Sequence, residues 1–200
     1  MTILDLSNVR TSYLYWHEPF LAKPSPQNPN PKPVFTSHFL MAPNHSDLTK
    51  VAATIEEVGL AEWKDQWTMF KEAFKQKDSL CLHKGDVTKV GQPEYAGLYY
   101  VSGNNKRRFT VIRGDRTPIV NPTELYSGCW VNAKIDIWAQ NNQWGKRINA
   151  TITGIQLVRT DEAFGGGAKV AAPEEFGIIG ASADSAPPAA GADPLAGLIG

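Results

Sequence analysis

The chain has 200 residues, of which 42% are hydrophobic and 20% are charged. This length and composition fit one domain with a single core and short appendages, and they exclude a small disulfide-stapled domain and a natively disordered chain. The 20 basic and 20 acidic residues balance, so net charge by itself indicates no partner. No apolar run is long enough to span a membrane, and Asp5 interrupts the apolar N-terminus. We therefore predict neither a membrane span nor a signal peptide, and we expect a cytoplasmic protein.

The residues that usually hold metals or cofactors form no recognisable site. Cys81 and Cys129 fit no metal-ligand spacing and lie in apolar runs, so we predict two reduced, buried thiols. The four histidines are scattered, and the sequence contains none of the HExxH, GxGxxG, GxSxG or phosphate-loop motifs. We therefore predict no metal, no cofactor and no catalytic residue.

The first half of the chain predicts two strands followed by a helical insertion. Residues 9–20 contain the aromatic run SYLYW, and residues 34–41 (VFTSHFLM) have a similar strand-forming composition. Between them, residues 23–33 hold five of the 14 prolines, which fix φ and lack an amide donor, so we predict an extended loop. Apolar residues at helical spacing predict a helical insertion over about 46–77, with a break at Gly59.

Four aromatic residues share one face of the second predicted helix, which ends near Lys77: Trp63, Trp67, Phe70 and Phe74. A stripe of this kind is ordinarily the buried side of an amphipathic helix. We therefore predict that this helix packs on a sheet, and not that it lines a binding groove.

The second half of the chain predicts short strands separated by turns. We assign strands to residues 98–102, 108–113, 129–139 and 148–158, with breaks that include Gly103-Asn104-Asn105 and Asn141-Asn142. Together with the two early strands, this gives five or six strands and one helical insertion. Many short strands in a small domain indicate a mainly β fold, either a five- to six-stranded barrel or a sandwich.

Charge is distributed unevenly along the chain. Residues 168–200 are rich in Ala, Gly and Pro and carry four acids against one base, so we predict a flexible, mildly acidic tail after a folded domain of residues 1–167. Residues 98–159 carry nine bases and three acids. The balanced total therefore conceals a basic β region and an acidic tail.

The segment from Cys129 to Ala139, CWVNAKIDIWA, alternates along its length. The odd positions after Cys129 are apolar and predict an inner face. The even positions place Trp130 and Trp138 on the other face, with Lys134 between them. Two indoles on an outer face indicate either cover by another element, such as the aromatic helix, or a stacking surface for a ligand. The strand alone leaves both interpretations open.

Three neighbouring groups of basic and aromatic residues favour a ligand. They are the cluster Lys106-Arg107-Arg108, the pair Tyr99-Tyr100 before it, and Trp144 with Lys146 and Arg147 in the following hairpin. Nucleic-acid bases present a π face, and phosphates present a negative charge. A β surface that interleaves aromatic rings with Lys and Arg therefore suits single-stranded nucleic acid without demanding a particular sequence.

An ordered series of motifs resembles one protein family. The series is RTSY, VFTSHFLMAPN, LHKGD, GLYYVSGNN, RTPIVNP and YSGCWVNAKIDIWAQNNQWGKRINATITGIQLVRTDEAFGGG, over residues 10–167. It resembles the tailed-phage single-stranded DNA-binding proteins that were long catalogued as a domain of unknown function. The resemblance implies an OB-fold barrel with a helical insertion, no catalytic centre, and a role in protecting or organising single strands during replication and recombination. It also implies an acidic C-terminal tail that engages replication partners, although this tail ends in PLAGLIG instead of an acid-rich tip.

The sequence thus predicts an OB-fold-like single-stranded DNA-binding protein that acts in the cytoplasm of a host bacterium. We expect phosphate contacts from Lys106, Arg107, Arg108, Arg113, Arg116, Lys134, Lys146 and Arg147. We expect base stacking on Tyr99 or Tyr100, Trp130, Trp138 and Trp144. Two other classes stay open: a metal-dependent nuclease or recombination enzyme on the same surface, and a phage structural or adaptor protein. The sequence also leaves open whether the chain forms a homodimer.

Overall fold

The architecture is that of a computed structural model, which describes residues 2–25, 29–143 and 145–164. Within these residues the strands are β1 (Thr2–Phe20), β2 (Val34–Met41), β3 (Leu82–Lys84), β4 (Tyr99–Asn105), β5 (Thr110–Ile112), β6 (Trp130–Asn142) and β7 (Gly145–Arg159). The helices are α1 (Ser46–Trp63), α2 (Trp67–Gln76) and α3 (Gly85–Thr88). No helix in the described ranges is long and apolar enough to cross a membrane. Trp144 and the predicted tail, residues 168–200, lie outside the described residues.

Five of the strands close a barrel. The sheet has the order β3-β4-β2-β1-β6-β7-β5, and β4 also pairs with β7 in parallel, with Gly103 beside Ala150. This extra pairing joins β4, β2, β1, β6 and β7 into a ring, while β3 and β5 add to it beside β4 and β7. The architecture confirms the predicted OB-fold-like barrel with a helical insertion. Because the ring is closed, alternation along each strand separates core residues from outward-facing ones.

The apolar residues that alternate along β6 lie in the core, as predicted. Val131, Ala133, Ile135 and Ile137 are each at most 2% exposed. The strand pairs with β1 on one side and with β7 on the other, so these side chains lie at the centre of the barrel. A slip of one residue in this register would turn the whole apolar set outward, which is why the pattern specifies the strand so strongly.

Both cysteines are free and buried, as predicted. Burial raises the pKa of the Cys81 thiol to about 12, because the thiolate would lose its solvation. The Cys81 side chain is therefore a protonated thiol at neutral pH and packs as a small apolar group.

The helical insertion breaks at a different place from the one predicted. Gly59 lies inside α1, and this helix ends instead at Trp63, before a 3-10 turn over Lys64–Gln66. Lys64 has a left-handed φ of 48°, so the chain turns there before α2 begins. Gly59 serves packing, because a Cβ at that position would overlap the indole ring of Trp67. The predicted aromatic face is confirmed as core: Trp63 and Trp67 stack with their ring centroids 5.7 Å apart.

Two predicted breaks are strand in the structure. The segment Gly103-Asn104-Asn105 continues β4 and pairs with β2, and Asn141-Asn142 continues β6. Gly103 leaves room for the side chain of Ile152, and the Asn105 amide donates a hydrogen bond of 2.8 Å to the Ile152 carbonyl. β1 also begins earlier than predicted, at Thr2, because its first residues pair with β6. Pairing with distant strands thus overrides the local turn preference of these residues.

Candidate nucleic-acid interface

The eight basic residues expected to contact phosphates differ in their own partners. Arg113 forms a bidentate ion pair with Glu124, with nitrogen–oxygen distances of 2.9 and 2.8 Å. Lys134 Nζ lies 2.6 Å from Asp5 Oδ1. Across the ranges that the structure describes, the other six have no carboxylate within ion-pair distance: Lys106, Arg107, Arg108, Arg116, Lys146 and Arg147. None of these six would have to leave a carboxylate before contacting a phosphate, so their positions in the fold decide which of them can serve a ligand.

Strands β1, β2 and β4 lie side by side and share one outer surface of the barrel, which we call the β1–β2–β4 face. Residues paired across antiparallel strands point to the same side of the sheet. Two such rows cross this face: Ser12, His38 and Ser102 in one, and Tyr15, Thr36 and Asn104 in the other. The alternate residues Phe39 and Val101 fill the core. The two rows therefore lie on the outward side of these strands.

A bulge in β1 brings Tyr13 onto the β1–β2–β4 face. The register between β1 and β2 shifts between Ser12 and Tyr15, and Tyr13 has a left-handed φ of 48°. This conformation costs about 1–2 kcal/mol for a residue other than glycine, and such strain is typical of functional sites. The ring packs on His38 with centroids 5.1 Å apart, and Tyr13 as a whole is 39% exposed. Tyr13 is therefore held in a strained conformation with part of its ring in solvent.

A second exposed aromatic pair lies further along β1. Tyr15 and Phe20 have ring centroids 5.0 Å apart and are 38% and 40% exposed. The sequence prediction missed these rings and Tyr13, because the run SYLYW indicates a strand without indicating which side faces out. The available signal was the two tyrosines spaced two residues apart, which is the period of one strand face.

Cations approach the β1–β2–β4 face from three sides. Lys89 follows α3 and places Nζ 4.4 Å from the ring centroid of Tyr13. Arg108, in the loop between β4 and β5 with exposed Lys106 and Arg107, has its Cζ 5.2 Å from the ring of Trp16. Arg147, from the start of β7, lines a polar groove of about 290 Å³ beside β4. Tyr13 is partly exposed, so Lys89 is held over its ring by only about 0.5–1 kcal/mol and can move to a phosphate at small cost.

Tyr100 forms the floor of this face and offers no open ring. It is 3% exposed, and it stacks with His38 at 4.7 Å and with His83 at 4.8 Å between centroids. His38 lies on β2 and His83 on β3, the two strands that flank β4, so the tyrosine ring is enclosed between them. A base that approached Tyr100 would find no free ring face.

The histidines of this floor carry no charge at neutral pH. Burial lowers the pKa of His38 to about 3, and the nearby Lys89 ammonium adds repulsion to the imidazolium form. The Tyr95 hydroxyl is hydrogen-bonded to His38 Nδ1 at 2.7 Å. Burial also lowers the pKa of His83. The two floor histidines therefore add no positive charge to the face at neutral pH.

Several predicted residues lie away from the β1–β2–β4 face. Tyr99 lines an apolar groove of about 480 Å³ between α2 and β3. Lys146 Nζ is 3.8 Å from the ring centroid of Phe70 on α2. Arg116 lies in the turn after β5, a strand whose only strand neighbour within the described residues is β7. The structure therefore does not bring all of the predicted residues onto one surface.

The structure shows what surrounds the two tryptophans on the outer side of β6. The Trp130 indole N–H donates a hydrogen bond of 2.7 Å to Asp161 Oδ2, and the Arg159 guanidinium lies 4.4 Å from its ring centroid. Trp138 donates to Thr151 Oγ1 at 2.9 Å and borders α1. Each is half-buried. Trp130 is thus covered by an arginine instead of a helix, and Trp138 lies beside α1 instead of α2.

Comparisons with known proteins agree with this architecture. Residues 2–186 match the family described as Enterobacter phage Enc34, ssDNA-binding protein. The protein p50 of Acyrthosiphon pisum secondary endosymbiont phage 1 is 31% identical over 177 residues, which is 86% of this chain and 91% of p50.

Two solved structures also match. The single-stranded DNA-binding protein from bacteriophage Enc34 in complex with ssDNA is 26% identical, with a TM-score of 0.65 over 82% of this chain and 89% of that chain. A C-terminal truncation of the same protein is 28% identical, with a TM-score of 0.62 over 81% of this chain and 88% of that chain.

Proposed function

The chain belongs to the family of the Enterobacter phage Enc34 single-stranded DNA-binding protein, and on that premise we propose that it binds single-stranded DNA across its β1–β2–β4 face. The observation that carries this proposal is the meeting, on one outer surface, of exposed aromatic rings and of cations that have no ion-pair partner in the described ranges. Tyr13 lies under Lys89, and Arg108 lies near the same part of β1. Rings and cations in this arrangement suit bases and phosphates of any sequence.

Base stacking accounts for the part of the affinity that does not depend on salt. Tyr13 and the Tyr15–Phe20 pair are the exposed rings of the face. A stacked base contributes about 1–3 kcal/mol, judged by the loss on alanine substitution. Because every base has a π face, this contribution carries little sequence preference.

Phosphate contacts account for the part that depends on salt. The cations available around the face are Lys89, Lys106, Arg107, Arg108 and Arg147. Each phosphate contact with a single strand contributes about 0.7 to the log–log slope of affinity against salt, so we expect a slope of roughly −3 to −4.

The biological role follows from the ligand class. We propose that the protein covers and organises single strands during phage DNA replication and recombination, in the cytoplasm of the host bacterium. It would act by binding and without a catalytic centre. Residues 168–200, which carry four acids and one base, are the proposed segment for recruiting replication or recombination proteins.

One experiment separates this function from a nuclease and from an adaptor protein. A fluorescein-labelled oligo(dT) is titrated with the full chain, with and without magnesium, while anisotropy reports binding and a denaturing gel reports integrity. Binding with intact DNA supports the proposal. Cleavage that needs magnesium would favour a nuclease, and constant anisotropy would favour a structural or adaptor protein.

A further inference from the structure

The polar groove beside β4 has the size and lining of a site for one phosphate. Its volume of about 290 Å³ is near the lower limit of about 300 Å³ for ligand pockets, so it suits one small group better than a whole cofactor. The outward side of β4, with Ser102 and Asn104, forms its floor. The start of β7 and the residues that lead into β3 form its walls.

The lining has an excess of positive charge. Arg147 and Lys89 both line the groove, and neither has a carboxylate within ion-pair distance in the described part of the chain. The carboxylate of the lining, Asp78, is already hydrogen-bonded to His83 Nδ1 at 2.6 Å. An anion that enters the groove therefore meets two cations against one carboxylate, which leaves the lining with a positive charge.

Neutral donors complete the set that a phosphate needs. The Ser102 hydroxyl and the Asn104 side-chain amide lie on the floor, and among the described residues neither makes a side-chain hydrogen bond. Phosphate oxygens accept such bonds, and the guanidinium fork of arginine matches two of these oxygens at once.

We propose that this groove binds one backbone phosphate of single-stranded DNA, with Arg147 as its main ligand, an inference that rests on the proposed function. Lys89 links the groove to the stacking surface, because it lines the groove while its Nζ lies over the Tyr13 ring. One nucleotide unit can then place its base on Tyr13 and an adjoining phosphate in the groove. Arg147 thereby fixes where the DNA backbone leaves the β1–β2–β4 face.

The first test compares two arginines of equal charge. Arg147→Ala, Arg147→Lys and Arg116→Ala are titrated with labelled oligo(dT) over a series of salt concentrations, and melting curves confirm that each variant is folded. We expect Arg147→Ala to lose about tenfold in affinity at low salt and to flatten the salt slope by about 0.7. Arg147→Lys should lose less, and Arg116→Ala should stay within about twofold of the wild type.

Equal losses of affinity for Arg147→Ala and Arg116→Ala would overturn the assignment of the groove as a phosphate site, because they would indicate only a diffuse electrostatic attraction of the DNA. Failure of the wild type to bind oligo(dT) would instead overturn the proposed function. A second measurement does not depend on DNA: inorganic phosphate is titrated into the ¹⁵N-labelled protein. We expect the backbone amides of Ser102 and Asn104 to shift in the wild type and not in Arg147→Ala. Unchanged amide shifts of Ser102 and Asn104 in the wild type would also overturn the assignment of the groove as a phosphate site.

Discussion

The ammonium group of Lys89 lies 4.4 Å above the ring of Tyr13, a residue whose left-handed φ of 48° holds that ring on the outer side of β1. The backbone is thus strained where it presents an aromatic ring next to a cation that has no ion-pair partner among residues 2–25, 29–143 and 145–164. The same ring packs on His38, and the residue as a whole is 39% exposed. Strain at an exposed residue is hard to explain by folding stability alone, which is why Tyr13 is the first position to test.

Replacing Tyr13 separates binding from stability. Tyr13→Gly removes the ring and also removes the strain, because glycine adopts a positive φ readily. We expect a loss of about 1–3 kcal/mol in oligo(dT) binding with little change in melting temperature. Tyr13→Phe keeps the ring and should bind nearly as well as the wild type. Unchanged affinity of the glycine variant would show that bases stack elsewhere.

The tryptophans of β6 should matter for stability more than for DNA. Trp130 is hydrogen-bonded to Asp161 and covered by Arg159, so Trp130→Ala should lower stability by about 1–3 kcal/mol. Ile135→Ala, deep in the core, should lower it by about 2–5 kcal/mol and serves as the reference. Melting curves and oligo(dT) titrations of these variants and of Trp138→Ala test this. A large loss of DNA affinity in a tryptophan variant that keeps its melting temperature would restore β6 as a stacking surface.

A salt series distinguishes paired from unpaired arginines. The double variant Arg107→Ala plus Arg108→Ala removes two cations without carboxylate partners and should flatten the salt slope by about 1.4. Arg113→Ala is the control, because Arg113 is already neutralised by Glu124 and should leave the slope nearly unchanged. Equal flattening by both would mean that the Glu124 pair opens when DNA binds.

At Gly59 we predict a change in stability opposite to the one that helix propensity predicts. Replacing glycine by alanine inside a helix normally stabilises a protein by about 0.5–1 kcal/mol. In α1 the added Cβ would overlap the Trp67 ring, so we expect Gly59→Ala to destabilise the protein by about 1–3 kcal/mol. Urea unfolding measures the difference. A more stable variant would show that α1 and α2 do not pack as described.

Acid should destabilise the fold through His38. Its pKa falls from an ordinary value of 6.5 to about 3 in the folded protein, so the unfolded chain binds more protons between these values. The corresponding stability is present above pH 6.5 and is lost as the pH falls towards 3, by up to about 1.4 kcal/mol per pH unit. His38→Gln should reduce this dependence, as measured by urea unfolding at pH 7 and pH 4.5. His17→Gln, at an exposed position, should not; an equal effect of both variants would contradict the burial argument.

The sequence alone determined a mainly β fold and the inner face of its central strand, while the barrel was implied by the family resemblance. The alternation of Val131, Ala133, Ile135 and Ile137 indicates one inner face, and the structure buries all four. The motifs of residues 10–167 likewise led to the family, and the apolar runs around the two cysteines predicted their burial. These features are local, because side-chain period and residue type decide which face of a strand leaves water.

Only the tertiary structure decided which outer residues are available to a ligand. Lys134 is neutralised by Asp5, and Trp130 is covered through Asp161 and Arg159, although each partner is distant in sequence or lies on another element. Tyr13 faces outward because a bulge forms where β1 changes its register with β2. The local sequence does not indicate which partner an outward-facing charge or ring will have. Ion pairs, ring stacking and bulges form only when strands from different parts of the chain pair around the barrel.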